Sequence, residues 1–225
     1  MTFSIAGRCS RTGVFGVAIT TSSIAVGARC PHARAGVGAV ATQNITDPRL
    51  GPFLLDCMEK GMSAAEAIAT ATKDRPFIEY RQLTAVDNNG TTASWSGSKI
   101  LGTHGVSEKM NCVAAGNLLK SASLPEAMTA AFAANAHEHL AERLLKSLEA
   151  GLDSGGEEGP IHSAALLVYG DCTFPMVSLR VDWDERDPIA GLRQLWEQYK
   201  PQMDAYMQRA NDPTAAPSYG VPGDP

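Results

Sequence analysis

The chain begins with an alternating pattern that constrains its fold more than any other feature of the sequence. Phe3 and Ile5 alternate with small or hydroxylated residues. After a polar stretch that ends in glycine, Phe15, Val17 and Ile19 repeat the pattern. Alternation with a period of two predicts β-strands, and the polar stretch between them predicts a hairpin turn. One face of this hairpin therefore carries large apolar side chains, and the other carries small or hydroxylated ones.

The register of this hairpin predicts which residues lie near the start of the chain. A turn centred on residues 10–11 places Thr2 opposite residues 19–20, within one register step. The second strand then continues into Ser22 and Ser23, which we expect beside the first residues of the chain. A corner of the predicted sheet therefore combines several hydroxyl side chains.

A second strand pair is predicted directly after this hairpin. Residues 24–26 lead into a loop bounded by glycines at 27–36, and residues 37–42 return as a strand rich in glycine and alanine. Small residues on a strand leave room for a close backbone approach or a ligand. The return strand ends in the polar run 42–44, which we expect to reach the same corner.

Helix pairs and strand pairs alternate along the rest of the chain. Apolar spacing and capping-box signals predict these elements: helices at 51–60 and 63–74, strands at 81–86, 91–95 and within 106–115, a helix pair from 123 to about 150, strands at 163–169 and 176–181, and a helix from 187. This order predicts an α+β fold of antiparallel sheets covered by helices. We expect one domain over residues 1–210 and an extended or mobile tail over 211–225.

Composition excludes several classes of function. The net charge of −5 argues against nucleic acid as a partner, because phosphate binding requires a basic surface. The five cysteines form no Cys-x-x-Cys pair, and the histidines are scattered, so we expect neither a disulfide framework nor a metal site. No phosphate-binding loop is present, and no cofactor is expected. The sequence lacks an apolar run of the ~20 residues that span a bilayer, and it shows no signal peptide. We therefore expect a cytoplasmic protein.

Thr2 is the candidate nucleophile of this chain. If Met1 is removed after synthesis, the mature chain begins with a residue that carries both an α-amine and a hydroxyl. An α-amine titrates near ~7.7–8.0 and can act as a general base at neutral pH. Threonine paired with its own amine is a known activated nucleophile. Many chains begin Met-Thr without any such role, so the surroundings of Thr2 decide between these two interpretations.

Further candidates are polar residues expected near this corner or in the adjoining loop. Ser23 and Asn117 are candidates for the catalytic group, with Asn117 as an oxyanion donor at a strand end. The candidates for substrate binding are Ser22, Arg29, His32, Arg34, Thr42, Gln43, Asn44 and Arg81. An arginine in the glycine-bounded loop can pair with a substrate carboxylate through two parallel hydrogen bonds. Each of these residues can equally serve a turn, a strand end or a subunit contact.

Several segments of the sequence resemble one bacterial family, catalogued as domain of unknown function 1028. They are Thr2-Phe-Ser-Ile-Ala, Thr12-Gly-Val-Phe-Gly-Val-Ala-Ile, Ala25-Val-Gly-Ala-Arg-Cys-Pro-His, Val37-Gly-Ala-Val-Ala-Thr-Gln, Tyr80-Arg-Gln-Leu, Gly116-Asn-Leu-Leu, Ser163-Ala-Ala-Leu-Leu-Val and Leu179-Arg-Val-Asp. The resemblance extends to about residue 195, and the block at 37–43 is its most specific part. It implies membership of the N-terminal-nucleophile hydrolases.

The resemblance carries expectations about fold and chemistry. It implies a four-layer αββα sandwich of two antiparallel sheets flanked by helices, and amide-type hydrolysis with Thr2 as the nucleophile. Proteasome-like members of that superfamily place an acidic residue at the end of the second strand and a lysine further on. This chain instead has Ser22, Ser23 and the loop arginines there.

The leading hypothesis is therefore a hydrolase of C–N bonds in small molecules, such as amides, imides or ureido compounds. Its substrate would be a small molecule that carries a carboxylate, and we expect a homodimer. One alternative is a non-catalytic ligand-binding or assembly protein that retains Met1. Another is a thiol enzyme built on Cys30 and His32, which are close in sequence.

Overall fold

The strands form two antiparallel sheets in the computed structural model, which describes residues 1–223. In spatial order the larger sheet contains β10 (Val177–Val181), β9 (Ser163–Tyr169), β2 (Phe15–Thr21), β1 (Thr2–Arg8), β8 (Cys112–Asn117) and β7 (Gly105–Lys109). The smaller sheet contains β3 (Pro31–Arg34), β4 (Gly38–Asn44), β5 (Arg81–Asp87) and β6 (Thr92–Ser96). The first strand of the chain is therefore central in the larger sheet.

Helices pack against both sheets, and the sheets contact each other. The helices are α1 (Leu50–Glu59), α2 (Ala64–Thr72), α3 (Leu124–Ala134), α4 (Leu140–Asp153), α5 (Pro188–Tyr199) and α6 (Met203–Asn211). α1 and α2 contact the smaller sheet, whereas α3, α4 and α5 contact the larger one. β1 and β2 also contact β4 of the smaller sheet. The fold is thus a mixed arrangement of helices and two antiparallel sheets.

The alternation predicted for the first hairpin sorts its residues between two cores. Phe3 and Ile5 are fully buried in the core formed with α3, α4 and α5. Ala6 and Val17 belong to a separate cluster with residues of the smaller sheet. Because side chains alternate along a strand, Thr2 and Ser4 share the face of Ala6. The register places Val17 and Ile19 opposite Ala6 and Ser4, on this same face, and Thr20 opposite Phe3 on the other. The prediction of one large apolar face and one small or hydroxylated face was therefore wrong, and the face towards the smaller sheet carries both kinds of residue.

The loop predicted after β2 is partly regular structure. Residues 24–26 do not form a strand, because Ala25 has a left-handed conformation (φ 53°) and a 3₁₀ turn follows at Val26–Ala28. β3 lies inside the predicted loop and pairs with β4. The prediction of a loop over residues 27–36 was therefore wrong for its second half.

Both predicted helix starts are confirmed, but only one of the two predicted capping boxes forms. Ser63 and Glu66 form the reciprocal hydrogen bonds of a capping box before α2. Ser123, before α3, makes no such bond, because its own backbone is helical and its hydroxyl lies 2.7 Å from the Ser121 hydroxyl. The region predicted to hold one strand over 106–115 contains β7 and β8, joined at Asn111, which has a φ of 69°.

The end of the chain contains a helix that the sequence did not predict. α6 continues the chain to Asn211, beyond the predicted domain end at residue 210. Arg209 then donates to Pro217 O at 2.9 Å and stacks on the Tyr219 ring at 3.8 Å. Of the tail predicted over 211–225, residues 224 and 225 lie outside the described part. Within residues 1–223, no helix has both the length and the apolar character needed to cross a bilayer.

Candidate functional site

Thr2 lies between two neighbouring strands in the middle of the larger sheet. It pairs with Thr21 on β2 and with Asn117 on β8. The residue is 6% exposed, so it is held inside the protein rather than at a free chain end. Thr21 is one residue beyond the predicted partners at 19–20, within the register step that the prediction allowed. This register places a second hydroxyl directly beside Thr2.

The hydroxyls of Thr2 and Thr21 meet at the carbonyl of Met1. The two oxygens lie 3.0 Å apart. Thr2 Oγ1 donates to Met1 O at 2.5 Å, and Thr21 Oγ1 also donates to Met1 O. The Met1 side chain extends towards Gly159, where an added Cβ would lie 2.7 Å from Met1 Cε. Met1 therefore occupies the space next to the candidate nucleophile.

Ser23 and Arg29 reach Thr2 only through Thr21. Ser23 Oγ lies 3.5 Å from Thr21 Oγ1 and accepts from Arg29 Nη2 at 2.6 Å. Arg29 Nη1 donates to the carbonyls of Ile24 and Ala25 at 2.6 and 2.9 Å. The guanidinium thus bonds to its own loop near the corner, and its role in carboxylate binding stays a prediction.

Buried amide side chains connect the two sheets beside Thr2. Ser4 Oγ donates to Gln43 Oε1 at 2.6 Å, and Gln43 Nε2 donates to Gln82 Oε1 at 2.8 Å. Asn117 Nδ2 donates to the same oxygen at 3.2 Å. Gln82 was missed at the sequence level, because it is one of several polar residues of the predicted strand. Buried polar groups that find partners in this way hold one defined arrangement.

Asn117 has one amide atom bonded and one without a partner. Its Nδ2 bonds to Gln82, as described, so one of its N–H groups is already in use. Its Oδ1 is buried and has no hydrogen-bond partner among residues 1–223. The predicted role as an oxyanion donor stays a prediction. The unpartnered atom is an acceptor, which suits a donor group better than an oxyanion.

Three predicted substrate-binding residues lie on or beside the outer face of the smaller sheet. Alternation along β4 directs Gln43 towards Thr2 but places Thr42 and Asn44 on the opposite face. Thr42 Oγ1 lies 3.0 Å from Thr46 Oγ1, and Asn44 Nδ2 donates to Tyr80 O at 2.7 Å. Arg81, which pairs with Asn44, donates to the carbonyl of Ile45. These three residues are not brought into the Thr2 cluster.

His32 and Arg34 lie on β3 and contact α1 instead of the corner. Arg34 forms salt bridges with Asp56 at 2.8 Å and with Glu59 at 2.7 Å. His32 packs so closely on Gly51 that an added Cβ there would lie 2.1 Å from its ring. Both side chains lie on the face of β3 that contacts α1. The prediction of a loop here did not include this contact.

The proposed thiol pair shows no sign of mutual activation. Burial raises the pKa of the Cys30 thiol to about 11, so the thiolate is scarce at neutral pH. The His32 ring has Nε2 at 3.3 Å from Arg29 O, and burial lowers its pKa. Neither group is activated by the other. Within residues 1–223, no cluster of three or more His, Cys, Asp or Glu side chains is arranged to hold a metal ion.

A buried glutamate lies at the same corner and was not predicted. Glu157 is 2% exposed, and neither of its carboxylate oxygens has a hydrogen-bond partner among the described residues. Burial raises its pKa to about 8, while the ammonium of the N-terminus and the nearby Ser22 N–H lower it. That N–H faces the carboxylate outside hydrogen-bonding geometry, and Ser22 O contacts His162 Nδ1 at 2.9 Å. Glu157 follows a glycine-rich loop and matches no motif, so no sequence signal identified it.

Two comparisons with known proteins bear on this arrangement. The profile of a family described as a family of unknown function (DUF1028) matches residues 2–192. The crystal structure of protein SPO2555 from Silicibacter pomeroyi, assigned to the same family, is 32% identical to this chain and has a TM-score of 0.82. The match covers 88% of this chain and 89% of that one. The chain therefore belongs to the DUF1028 family, as the resemblance of its motifs indicated.

A more distant solved structure is Anbu (ancestral beta-subunit) from Yersinia bercovieri. It is 10% identical, and the match covers 90% of this chain and 96% of that one. Its TM-score of 0.40 is too low to bear on fold or function. No curated protein is significantly similar to this chain in sequence.

Proposed function

We propose that this protein is an N-terminal-nucleophile hydrolase that cleaves C–N bonds of small molecules with Thr2 as its nucleophile. The observation that carries the proposal is the buried Thr2 hydroxyl, placed beside Thr21 at the start of a central strand. The contacts of the helices and the two sheets fit the four-layer αββα sandwich of that superfamily. The motifs of the sequence add their resemblance to hydrolases of this class.

The reaction begins when Met1 has been removed. Thr2 Oγ attacks the carbonyl carbon of the substrate, and its proton passes to the α-amine of the same residue. The amine then delivers the proton to the leaving nitrogen, the C–N bond breaks, and an ester to Thr2 remains. Water attacks this ester, releases the acid and restores the hydroxyl. On the protein side, each step uses groups of residue 2. The neighbouring Thr21 hydroxyl can orient the Thr2 hydroxyl through a hydrogen bond.

Residues around Thr2 suggest how a substrate is held. Gln43 and Gln82 form a polar wall between the sheets, and Arg29 lies behind Ser23 at the rim. An arginine in this position fits a substrate with a carboxylate, once its loop bonds are exchanged for substrate bonds. The oxyanion is assigned to Asn117 or to a backbone N–H at the strand ends.

The test begins with the mass of the purified protein. We expect loss of Met1 and a covalent adduct of one β-lactone per chain at Thr2. Thr2→Ala is expected to abolish the adduct, whereas Thr2→Ser keeps a hydroxyl beside the amine and is the matched control. A screen of amides, imides and ureido acids then identifies the substrate. Fully retained Met1 in protein from its own host would exclude this mechanism.

The competing function is a ligand-binding protein without catalysis. With Met1 present, the Thr2 hydroxyl is bonded to the Met1 carbonyl and is not available for attack. That protein would keep Met1 and form no adduct with a β-lactone, while still binding a small molecule. The expected homodimer is a separate prediction, which light scattering on the purified protein tests directly.

A further inference from the structure

Glu157 combines deep burial with the absence of any partner, which is costly for a carboxylate. Burying an ionised carboxylate without compensation costs several kcal/mol in real proteins, so such groups are normally paired or hydrogen-bonded. Of the five buried side-chain atoms without a partner in residues 1–223, two are the oxygens of Glu157 and a third is Asn117 Oδ1. All three are hydrogen-bond acceptors. Three of the five atoms are therefore buried acceptors without a donor among the described residues.

These acceptors surround the start of β1. Glu157 forms a bridge with Leu119, which continues the chain two residues beyond Asn117, and its carboxylate faces the N–H of Ser22, directly after Thr21. Thr21 and Asn117 are the two strand partners of Thr2. The carboxylate therefore lies near Thr2, the first residue of β1, next to the ends of both neighbouring strands, β2 and β8.

The charge that acts on Glu157 is the ammonium of the chain's N-terminus. In the chain that begins with Met1, this ammonium forms no salt bridge with the carboxylate, so the two groups are near each other but unpaired. Removal of Met1 moves the amine three bonds along the backbone, to the nitrogen of Thr2. An α-ammonium has three N–H donors, the kind of group that the unpartnered oxygens of Glu157 lack.

We propose that Glu157 is the positioning residue that receives the α-amine of Thr2 in the chain that lacks Met1. This inference rests on the proposed function, because it assigns a partner to the amine that the mechanism uses. The carboxylate fixes the amine beside the Thr2 hydroxyl and stabilises the ammonium that forms when the hydroxyl gives up its proton.

Other titratable groups around Glu157 are accounted for by their own contacts. His162, before β9, contacts Ser22 O, and Arg29, after β2, bonds to Ser23. Lys120, after β8, and the adjacent Glu158 are exposed. None of these side chains contacts the Glu157 carboxylate. The amine is the group whose titration Glu157 controls.

The experiment measures the pKa of the Thr2 α-amine without any substrate. The full chain is released from a cleavable fusion partner so that Thr2 comes first, and competitive acetylation with acetic anhydride is followed by mass spectrometry across pH. We expect Glu157→Gln to lower this pKa by about one unit or more, because an opposite charge within ~4–6 Å favours the ammonium. Glu158→Gln removes the same charge from an exposed neighbouring position and is the matched control, expected to leave the pKa unchanged.

The outcomes separate this inference from the proposed function. An equal α-amine pKa in wild type and Glu157→Gln would overturn the inference, even if Thr2 still forms an adduct. A lowered α-amine pKa in Glu157→Gln, together with no β-lactone adduct in wild type, would support the inference and contradict the proposed hydrolase function. If Glu157→Gln does not fold, Glu157→Asp gives the same test. Its shorter side chain holds the carboxylate farther from the amine, so the α-amine pKa is expected to fall below the wild-type value. An unchanged pKa in that variant would contradict the inference.

Discussion

Two buried glutamates near opposite ends of α4 have contrasting surroundings. Glu142, in the first turn of the helix, is 8% exposed and accepts from Trp196 Nε1 at 2.7 Å and from Arg193 Nη1 at 2.8 Å. Glu157, four residues after the helix ends, is 2% exposed and accepts from no described residue. The same side chain is thus fully satisfied in one region and unsatisfied in the other.

The two environments shift the pKa values in opposite directions. Burial by itself raises the pKa of Glu142, but hydrogen bonds from Trp196 and Arg193 outweigh it and leave the pKa lowered. At Glu157 burial dominates and the pKa rises to about 8. A carboxylate of the first kind stabilises the link between α4 and α5. A carboxylate of the second kind costs stability, and unsatisfied groups of this sort are typical of functional sites.

The largest expected effect is on how stability depends on pH. Between pH 4.5 and about 8, the folded chain keeps a proton on Glu157 that the unfolded chain has released, so the free energy of unfolding falls as pH rises. The full decrease is expected to be about 3–5 kcal/mol. Glu157→Gln has no such proton and is expected to lack this decrease. Urea unfolding of chains that begin with Met1, at several pH values, measures it.

Glu158→Gln is the control for this pH series. It is expected to follow the wild-type curve, because its carboxylate is exposed. Parallel curves for wild type and Glu157→Gln would show that folding does not raise the pKa of Glu157. They would contradict the contrast drawn between Glu157 and Glu142.

A smaller effect is expected at the other glutamate. Glu142→Ala leaves Trp196 Nε1 without its acceptor and removes a carboxylate from Arg193, so we expect a loss of about 2–4 kcal/mol in the free energy of unfolding at neutral pH. Glu142→Gln keeps an oxygen for Trp196 and is expected to lose about half as much. Chemical unfolding at one pH measures both. Equal losses in the two variants would mean that the Trp196 bond contributes nothing.

The smallest expected effect concerns the exposed arm of the same network. Glu197 contacts Arg193 Nη1 at 3.1 Å, but its side chain is 57% exposed. Glu197→Gln is expected to change the free energy of unfolding by no more than about 0.5 kcal/mol, because exposed ion pairs contribute little. A loss as large as that of Glu142→Ala, measured in the same urea series, would contradict the view that burial decides the energy of these pairs.

Much of the fold followed from local patterns in the sequence. Alternation identified β1 and β2, and the helical spacing of Leu140, Leu144 and Leu148 identified α4. The capping box before α2 formed, whereas the matching signal at Ser123 did not, because the preceding turn made the backbone helical one residue early. Local signals succeeded where the neighbouring chain did not compete for the same groups.

The candidate site was only partly predictable. The register of the first hairpin placed Thr2 opposite Thr21, within one residue of the predicted partners, and the end of β4 supplied Gln43. Thr42 and Asn44 were proposed beside it, yet a strand sends successive side chains to opposite faces. Membership in one polar run therefore does not place three residues in one site. To assign them, one must know which face of β4 lies towards the larger sheet, and that depends on how the two sheets pack together.

The sequence by itself determined most strands and helices, and Thr2 as the position to test. These properties arise from interactions between residues close in the chain, which repeat with the period of a strand or a helix. Only the tertiary structure decided that Gln82 bonds to Gln43 and Asn117, and that Glu157 is buried without a partner beside residue 2. Both depend on how distant segments pack, because burial and partner choice are set by the surfaces that meet rather than by neighbours along the chain.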